Sequence, residues 1–343
     1  MSIMLSEIEH QPEALEQTLN RERSKVLKIA KAVKSSDIQL IVLVARGTSD
    51  NAALFGRYLL ELTTGIPVSL CAPSIHTLYK KSLALKNTLV VGVSQSGEGV
   101  DINVVLENCA KSGAKTLAIT NHAESSMAKI ADETIITRAG VEKSVAATKT
   151  YTCQLLAFHM LAAALSDGNL EPLTAIPEYA QKSVGLLSHI DTLIERYRFM
   201  NHCVVVARGL NYANAYEFSI KLMETCYVIA ERFSSADFLH GPIAVLQRDF
   251  PVMLFAPPGP TLDDMHQLAE KTRELHADSL IISSEPDILK LATKAVKIPA
   301  KIPELLTPIP YIIPAQIFAA KLAAVKGLSP DQPRGLSKVT RTL

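Results

Sequence analysis

Neither sign of charge dominates this chain: 35 Lys and Arg stand against 34 Asp and Glu, a net charge of +1. That removes the broad basic field on which backbone-driven nucleic-acid binding depends. A long apolar run is also missing. The longest strongly apolar stretch, Leu155 to Leu165, covers only part of a bilayer and carries His159 in its middle, which suits a buried helix. Glu7, Glu9 and His10 stand where a secretory leader would need an apolar core. The expectation is a cytoplasmic protein with no membrane or nucleic-acid partner. The five cysteines (Cys71, Cys109, Cys153, Cys203 and Cys226) are odd in number and lack CxxC or metal-ligand spacing. Disulfides and a structural metal are therefore disfavoured, and buried free thiols are expected.

What is present is enough apolar material for two cores: 343 residues, 48% of them hydrophobic. The chain also repeats itself. Val42-Leu43-Val44-Ala45-Arg46-Gly47 returns as Val204-Val205-Val206-Ala207-Arg208-Gly209, an offset of 209 − 47 = 162 residues. In both places a buried-strand pattern enters a glycine turn and then a helix. Further apolar runs follow at Leu89–Val93, Thr116–Ile119 and Thr134–Ile136, then at Val252–Phe255, Leu280–Ile282 and Ala295–Ile298. Continuous apolar strands alternating with helical stretches predict α/β domains, each a doubly wound parallel sheet covered on both faces. The expected organisation is a helical arm over residues 1–28, a first domain over 29–165, a linker and helix over 166–194, a second domain over 195–327 and a tail over 328–343. Pro314 is expected to open the last helix and Gly327 to close it.

In an open parallel sheet, ligands bind beyond the carboxyl ends of the strands. Two such places are rich in hydroxyls: Arg46-Gly47-Thr48-Ser49-Asp50, and Ser94-Gln95-Ser96-Gly97-Glu98-Gly99 before a helix starting near Val100. Glycine permits close backbone approach, hydroxyls donate to phosphate oxygens, and a helix N-terminus offers exposed N–H groups. Neither loop has the spacing of a nucleotide-triphosphate or dinucleotide motif, so a single phosphoryl group is the better match. Taken alone, the same residues also read as turn residues capping helices. In the second half, Lys221 and Glu224 sit three apart on a helix, and His240 precedes Gly241-Pro242. A carboxylate among buried elements suits a base that moves a proton between carbons, and a histidine titrates where ring opening needs it. The alternative is a surface ion pair and a core histidine held by a turn.

The ordered segments Glu7-Ile8 with Gln11-Pro12, Gly47-Thr48-Ser49, Ser94-Gln95-Ser96-Gly97-Glu98, Val145-Ala146-Ala147-Thr148-Lys149, Lys221 to Glu224, His240-Gly241-Pro242 and Asp331 to Lys338 decide between these readings. Together they resemble the isomerase half of glucosamine-6-phosphate synthase and its relatives, the tandem sugar-isomerase (SIS) domain proteins. The resemblance covers nearly the whole chain. It implies that Ser49, Ser94, Gln95 and Ser96 hold a phosphate, that Thr48 helps hold the sugar, and that the backbone at Val145 touches sugar hydroxyls. It further implies that Glu224 shuttles a proton between C1 and C2 with Lys221 in electrostatic support. His240, supplied by the neighbouring subunit of a homodimer, would open the ring. Lys338 would reach the site from the tail and, in the synthase, forms a Schiff base with the keto sugar.

Departures from the synthase are informative. Arg46 stands where it has cysteine, Gly99 where it has threonine and Ala147 where it has serine, so Arg46 is expected to replace lost phosphate contacts with charge. The chain begins Met1-Ser2 and enters the isomerase half directly, without the glutaminase cysteine. The expected activity is therefore glucosamine-6-phosphate deamination to fructose 6-phosphate and ammonia, with no cofactor. Galactosamine-6-phosphate deaminase, another phosphosugar isomerase and a fructosamine-6-phosphate deglycase are the enzymatic alternatives. A non-catalytic phosphosugar-binding regulator is the alternative of another class, although no helix-turn-helix segment is apparent.

Overall fold

The computed structural model describes residues 2–338; Met1 of the expected arm and residues 339–343 of the expected tail lie outside the described residues. The chain forms two compact units. One comprises residues 13–142, 149–175 and 336–338; the other comprises 2–12, 143–148 and 176–335.

The unit containing residues 13–142 is built on strands β1 (Leu40–Val44), β2 (Val68–Leu70), β3 (Thr88–Ser94), β4 (Lys115–Thr120) and β5 (Glu133–Ile136). They run parallel in the order β2-β1-β3-β4-β5. Every residue of β3 is buried, which is why its apolar run is continuous instead of alternating. The register Val44 to Gly92 brings the ends of β1 and β3 side by side. Ile102, Val105, Leu106 and Cys109 recur at helical spacing along the helix Val100–Lys111, and this face packs on Val42, Val90 and Ala118 of the sheet.

The helix Thr48–Thr64 packs on the helix Lys149–Leu165. Gly56 makes their close approach possible, since a Cβ there would lie 2.5 Å from the Phe158 ring. The apolar stretch expected to be a buried helix is one: nearly every residue of Lys149–Leu165 is buried. Its His159 lies tilted against Phe55, with ring centroids 5.0 Å apart, and burial pushes its imidazole down to about 3. The unfolded chain binds this proton below its ordinary value of 6.5 and the folded chain does not. Stability from this group is thus complete above 6.5 and is lost as pH falls toward 3, at up to about 1.4 kcal/mol per pH unit. A His159→Leu variant is expected to show a shallower acid loss of melting temperature; an unchanged slope would place the acid sensitivity elsewhere.

The unit containing residues 176–335 carries β6 (His202–Ala207), β7 (Ile229–Ser234), β8 (Pro251–Phe255), β9 (Asp278–Ser283) and β10 (Lys294–Lys297). Its order, β10-β9-β8-β6-β7, read from the β7 edge, repeats that of the first sheet. All pairings are parallel. The repeated turn keeps its positive φ, 56° at Gly47 and 61° at Gly209, a region that favours glycine. Val204, Val206, Val252, Leu254 and Ile281 form the sheet side of this core against Met265, Leu268 and Ala269.

The arm is helical, as Ile3–Glu9 and Gln11–Lys34, and so continues past residue 28. The last helix differs from expectation at its start: it runs Pro308–Val325, and Pro314 lies inside it. Pro308 and Pro310 occupy the first turn, where a missing N–H costs nothing, and open the helix six residues earlier. The helix carries the loss at Pro314 because it packs on Tyr212–Cys226 and Ile176–Val184. By length and composition Pro308–Val325 could cross a membrane, yet 83% of it is buried in the protein. All five cysteines are free, four of them buried.

Candidate functional site

The chain leaves β1 toward β2 on one side and returns to β3 on the other, so the carboxyl ends of β1 and β3 flank a topological switch point, where open α/β sheets bind ligands. Both hydroxyl-rich loops follow these two strands, and each feeds a helix N-terminus, at Thr48 and at Val100. Three serines there share one hydrogen-bond pattern. Ser49 Oγ accepts from Gln154 Nε2 at 2.9 Å, Ser94 Oγ from the Gly97 N–H at 3.1 Å, and Ser96 Oγ from the Glu98 N–H at 3.2 Å. Among the described residues none of the three donates its own proton. Each hydroxyl is therefore held by the protein and keeps its O–H for an incoming acceptor, as an anion site requires.

The second loop is braced from behind. The Gln95 carbonyl accepts from the Asn121 N–H and from Thr120 Oγ1, and the Glu98 carboxylate accepts from Ser126 N–H at 2.9 Å and Ser126 Oγ at 2.7 Å. The Ser126 hydrogen bonds hold the Glu98 carboxyl below its ordinary value. Gly97, at φ 67°, has Ser125 Oγ only 2.2 Å from where a Cβ would stand. Gly97→Ala is expected to cost at least about 1–3 kcal/mol and to weaken phosphate binding; denaturant unfolding and a phosphate titration check both, and an unperturbed variant would mean that the loop yields.

Thr48 lies half-buried in the first helical turn. Arg46 Nε pairs with the buried Asp101 carboxylate at 2.6 Å, so part of its charge is already engaged beside the second loop. Lys338 Nζ lies 2.9 Å from Glu142 Oε2, and the fully buried Glu142 also accepts from Thr150 N–H and Oγ1. The sequence reading missed Glu142.

In the other unit, Glu217, Lys221 and Glu224 occupy one face of the helix Tyr212–Cys226. Lys221 Nζ lies 2.8 Å from Glu224 Oε2 and 3.5 Å from Glu217 Oε1. The Lys221 and Glu217 side chains are fully buried and Glu224 is 24% exposed, so this is no surface pair. A buried cation anchors two carboxylates, and only Glu224 is open to a reactant. Glu217 was missed although its spacing, four before Lys221, was available. His240 is no core histidine: it stands exposed after the short helix Ser235–Leu239, and its ring has no partner among the described residues.

Three segments that carry the resemblance meet in this unit. The Asp331 carboxylate accepts from the N–H groups of Ile3 and Met4, the Asp331 carbonyl accepts from the Val145 N–H at 3.3 Å, and Glu7 accepts from the Lys143 and Ser144 N–H groups. That Val145 donor is thus already engaged. Arg334 lies over the Tyr227 ring at 4.1 Å, and its N–H donates to the Tyr227 hydroxyl. In the repeat, β8 leads into Pro257-Pro258-Gly259-Pro260, so this unit lacks a counterpart of the second serine loop. Among the described residues no three His, Cys, Asp or Glu side chains gather to hold a metal ion. A cavity of about 390 Å³ at the amino ends of β6, β8 and β9 is lined by none of the expected site residues.

The SIS domain family matches residues 36–164 and 198–326, two segments set 198 − 36 = 162 residues apart, the offset of the repeated turn. The chain belongs to the SIS-domain family. It is 35% identical to the isomerizing glutamine–fructose-6-phosphate aminotransferase of Gloeobacter violaceus, over 98% of this chain but only 58% of that protein. Among solved structures, it resembles the C-terminal domain of glucosamine-fructose-6-phosphate aminotransferase from Francisella tularensis, with TM-score 0.89 and 26% identity over 97% of this chain and 98% of that one. Glucosamine-6-phosphate deaminase from Thermotoga maritima shares the fold, with TM-score 0.82 and 21% identity over 99% of this SIS chain and 100% of its own.

Proposed function

We propose that this SIS protein is a phosphosugar enzyme that moves a proton between C2 and C1, and that its reaction is the deamination of glucosamine 6-phosphate. The observation that carries the reading is Glu224, a carboxylate open to a reactant and anchored on a buried lysine. Ser49, Ser94, Ser96, Gln95 and Thr48 hold the phosphate and the sugar end next to it. His240 takes the proton from the C1 hydroxyl and returns one to the ring oxygen, which opens the ring to the aldehyde. Glu224 then removes the C2 proton, giving an enolamine, and delivers a proton to C1. The C2 imine that results takes up water and expels ammonia, leaving fructose 6-phosphate. The exposed His240, without a partner in its own chain among the described residues, supports its donation to the neighbouring subunit of a dimer.

The test is ammonia release with fructose 6-phosphate as the second product, from glucosamine 6-phosphate, galactosamine 6-phosphate and fructoselysine 6-phosphate in parallel. Ammonia and fructose 6-phosphate from the gluco substrate alone is the expected result. Release from another substrate reassigns the sugar, and no ammonia from any of them overturns deamination.

A further inference from the structure

Gln154 is a buried amide on the buried helix Lys149–Leu165, and the reaction sequence above gives it no task. Its Nε2 donates to Ser49 Oγ at 2.9 Å, while its Oε1 is buried with no hydrogen-bond partner. A glutamine that served only the core would pair both ends, because a buried polar atom left unmatched costs about 1–3 kcal/mol. Either orientation of the amide leaves one end unmatched here. With the oxygen toward Ser49, the hydroxyl would donate to the amide and its proton would be consumed. With the N–H toward Ser49, as found, a lone pair of the hydroxyl is filled and its proton is kept.

We propose that Gln154 is a positioning residue for anion binding: its amide N–H fixes the Ser49 hydroxyl as a donor aimed at a phosphate oxygen. The inference rests on the reading that Ser49 holds phosphate. It gives Ser49 what Ser94 and Ser96 take from the backbone N–H groups of Gly97 and Glu98. Ser49 sits on a helix and has no loop of its own to do this, so the donor comes from the neighbouring helix Lys149–Leu165.

The experiment is a calorimetric titration of the intact protein with inorganic phosphate and with fructose 6-phosphate, for wild type, Ser49→Ala, Gln154→Leu, Gln154→Glu and the double variant Ser49→Ala/Gln154→Leu. Melting without ligand shows that each is folded, and either Gln154 variant alone suffices if the other is not. Gln154→Leu is expected to weaken binding about tenfold and Gln154→Glu about a hundredfold, since a carboxylate takes the hydroxyl proton and adds repulsion. In the Ser49→Ala background, Gln154→Leu should have no further effect. Full additivity of the two changes, or unchanged binding in the Gln154 variants while Ser49→Ala weakens it, overturns the inference. Unchanged binding in Ser49→Ala overturns instead the phosphate reading of Ser49 on which it rests.

Discussion

Glu224→Gln is expected to cut turnover of glucosamine 6-phosphate by about a hundredfold to ten-thousandfold, the range associated with a positioned acid–base group. The change keeps the size of the side chain and an oxygen within reach of Lys221 Nζ, now 2.8 Å from the carboxylate. Ligand affinity should therefore stay within a few-fold of wild type, because the serines that meet the phosphate are untouched. The second readout is isotopic. Wild-type protein incubated with fructose 6-phosphate and ammonia in heavy water should introduce deuterium at the carbons between which the proton moves, and the variant should introduce none. Steady-state rates, a binding titration and the isotope pattern together separate a lost base from a damaged fold. A fully active Glu224→Gln variant would remove this carboxylate from the chemistry.

The strands of both sheets were legible because burial on two faces leaves uninterrupted apolar runs, as in β3 and β6. The edge strands β2 and β7 were harder. β2 is three residues long, and β7 reads Ile-Ala-Glu-Arg-Phe-Ser, so neither offers a continuous run. The serines could be read because they directly follow strands whose ends the topology places together. Glu142 and Gln154 could not, since each is one polar residue whose link to an expected site residue is distant in sequence: to Lys338 for the first and to Ser49, 105 residues earlier, for the second. Segments 2–12 and 143–148 group with the second sheet's unit through the Glu7 and Asp331 carboxylates, the packing of Ile3–Glu9 on Pro308–Val325 and the hydrogen bonds of Gln316 to Gln11 and Thr148, and no composition shift marks them. Pro314 misled because proline reads as a helix opener, while two earlier prolines already hold that position.

Removal of the buried ammonium is the largest stability change expected. Lys221 is fully buried between Glu217, also fully buried, and Glu224, which has access to water. Taking one partner from a buried ion pair costs about 3–5 kcal/mol, because the remaining charge keeps its desolvation penalty without the compensating ion. Lys221→Met fills nearly the same volume, so its effect reports charge more than packing. It should lower stability by that amount in denaturant unfolding. Adding Glu217→Gln should recover much of the loss, since the carboxylate that Lys221 neutralises in the interior is then gone. Turnover should not recover with it: Glu224 has lost the cation that fixes its position, and the double variant restores the core without restoring that anchor. Recovery of both properties together would make Lys221 a purely structural residue, and wild-type stability in Lys221→Met alone would mean that the pair contributes nothing to the fold.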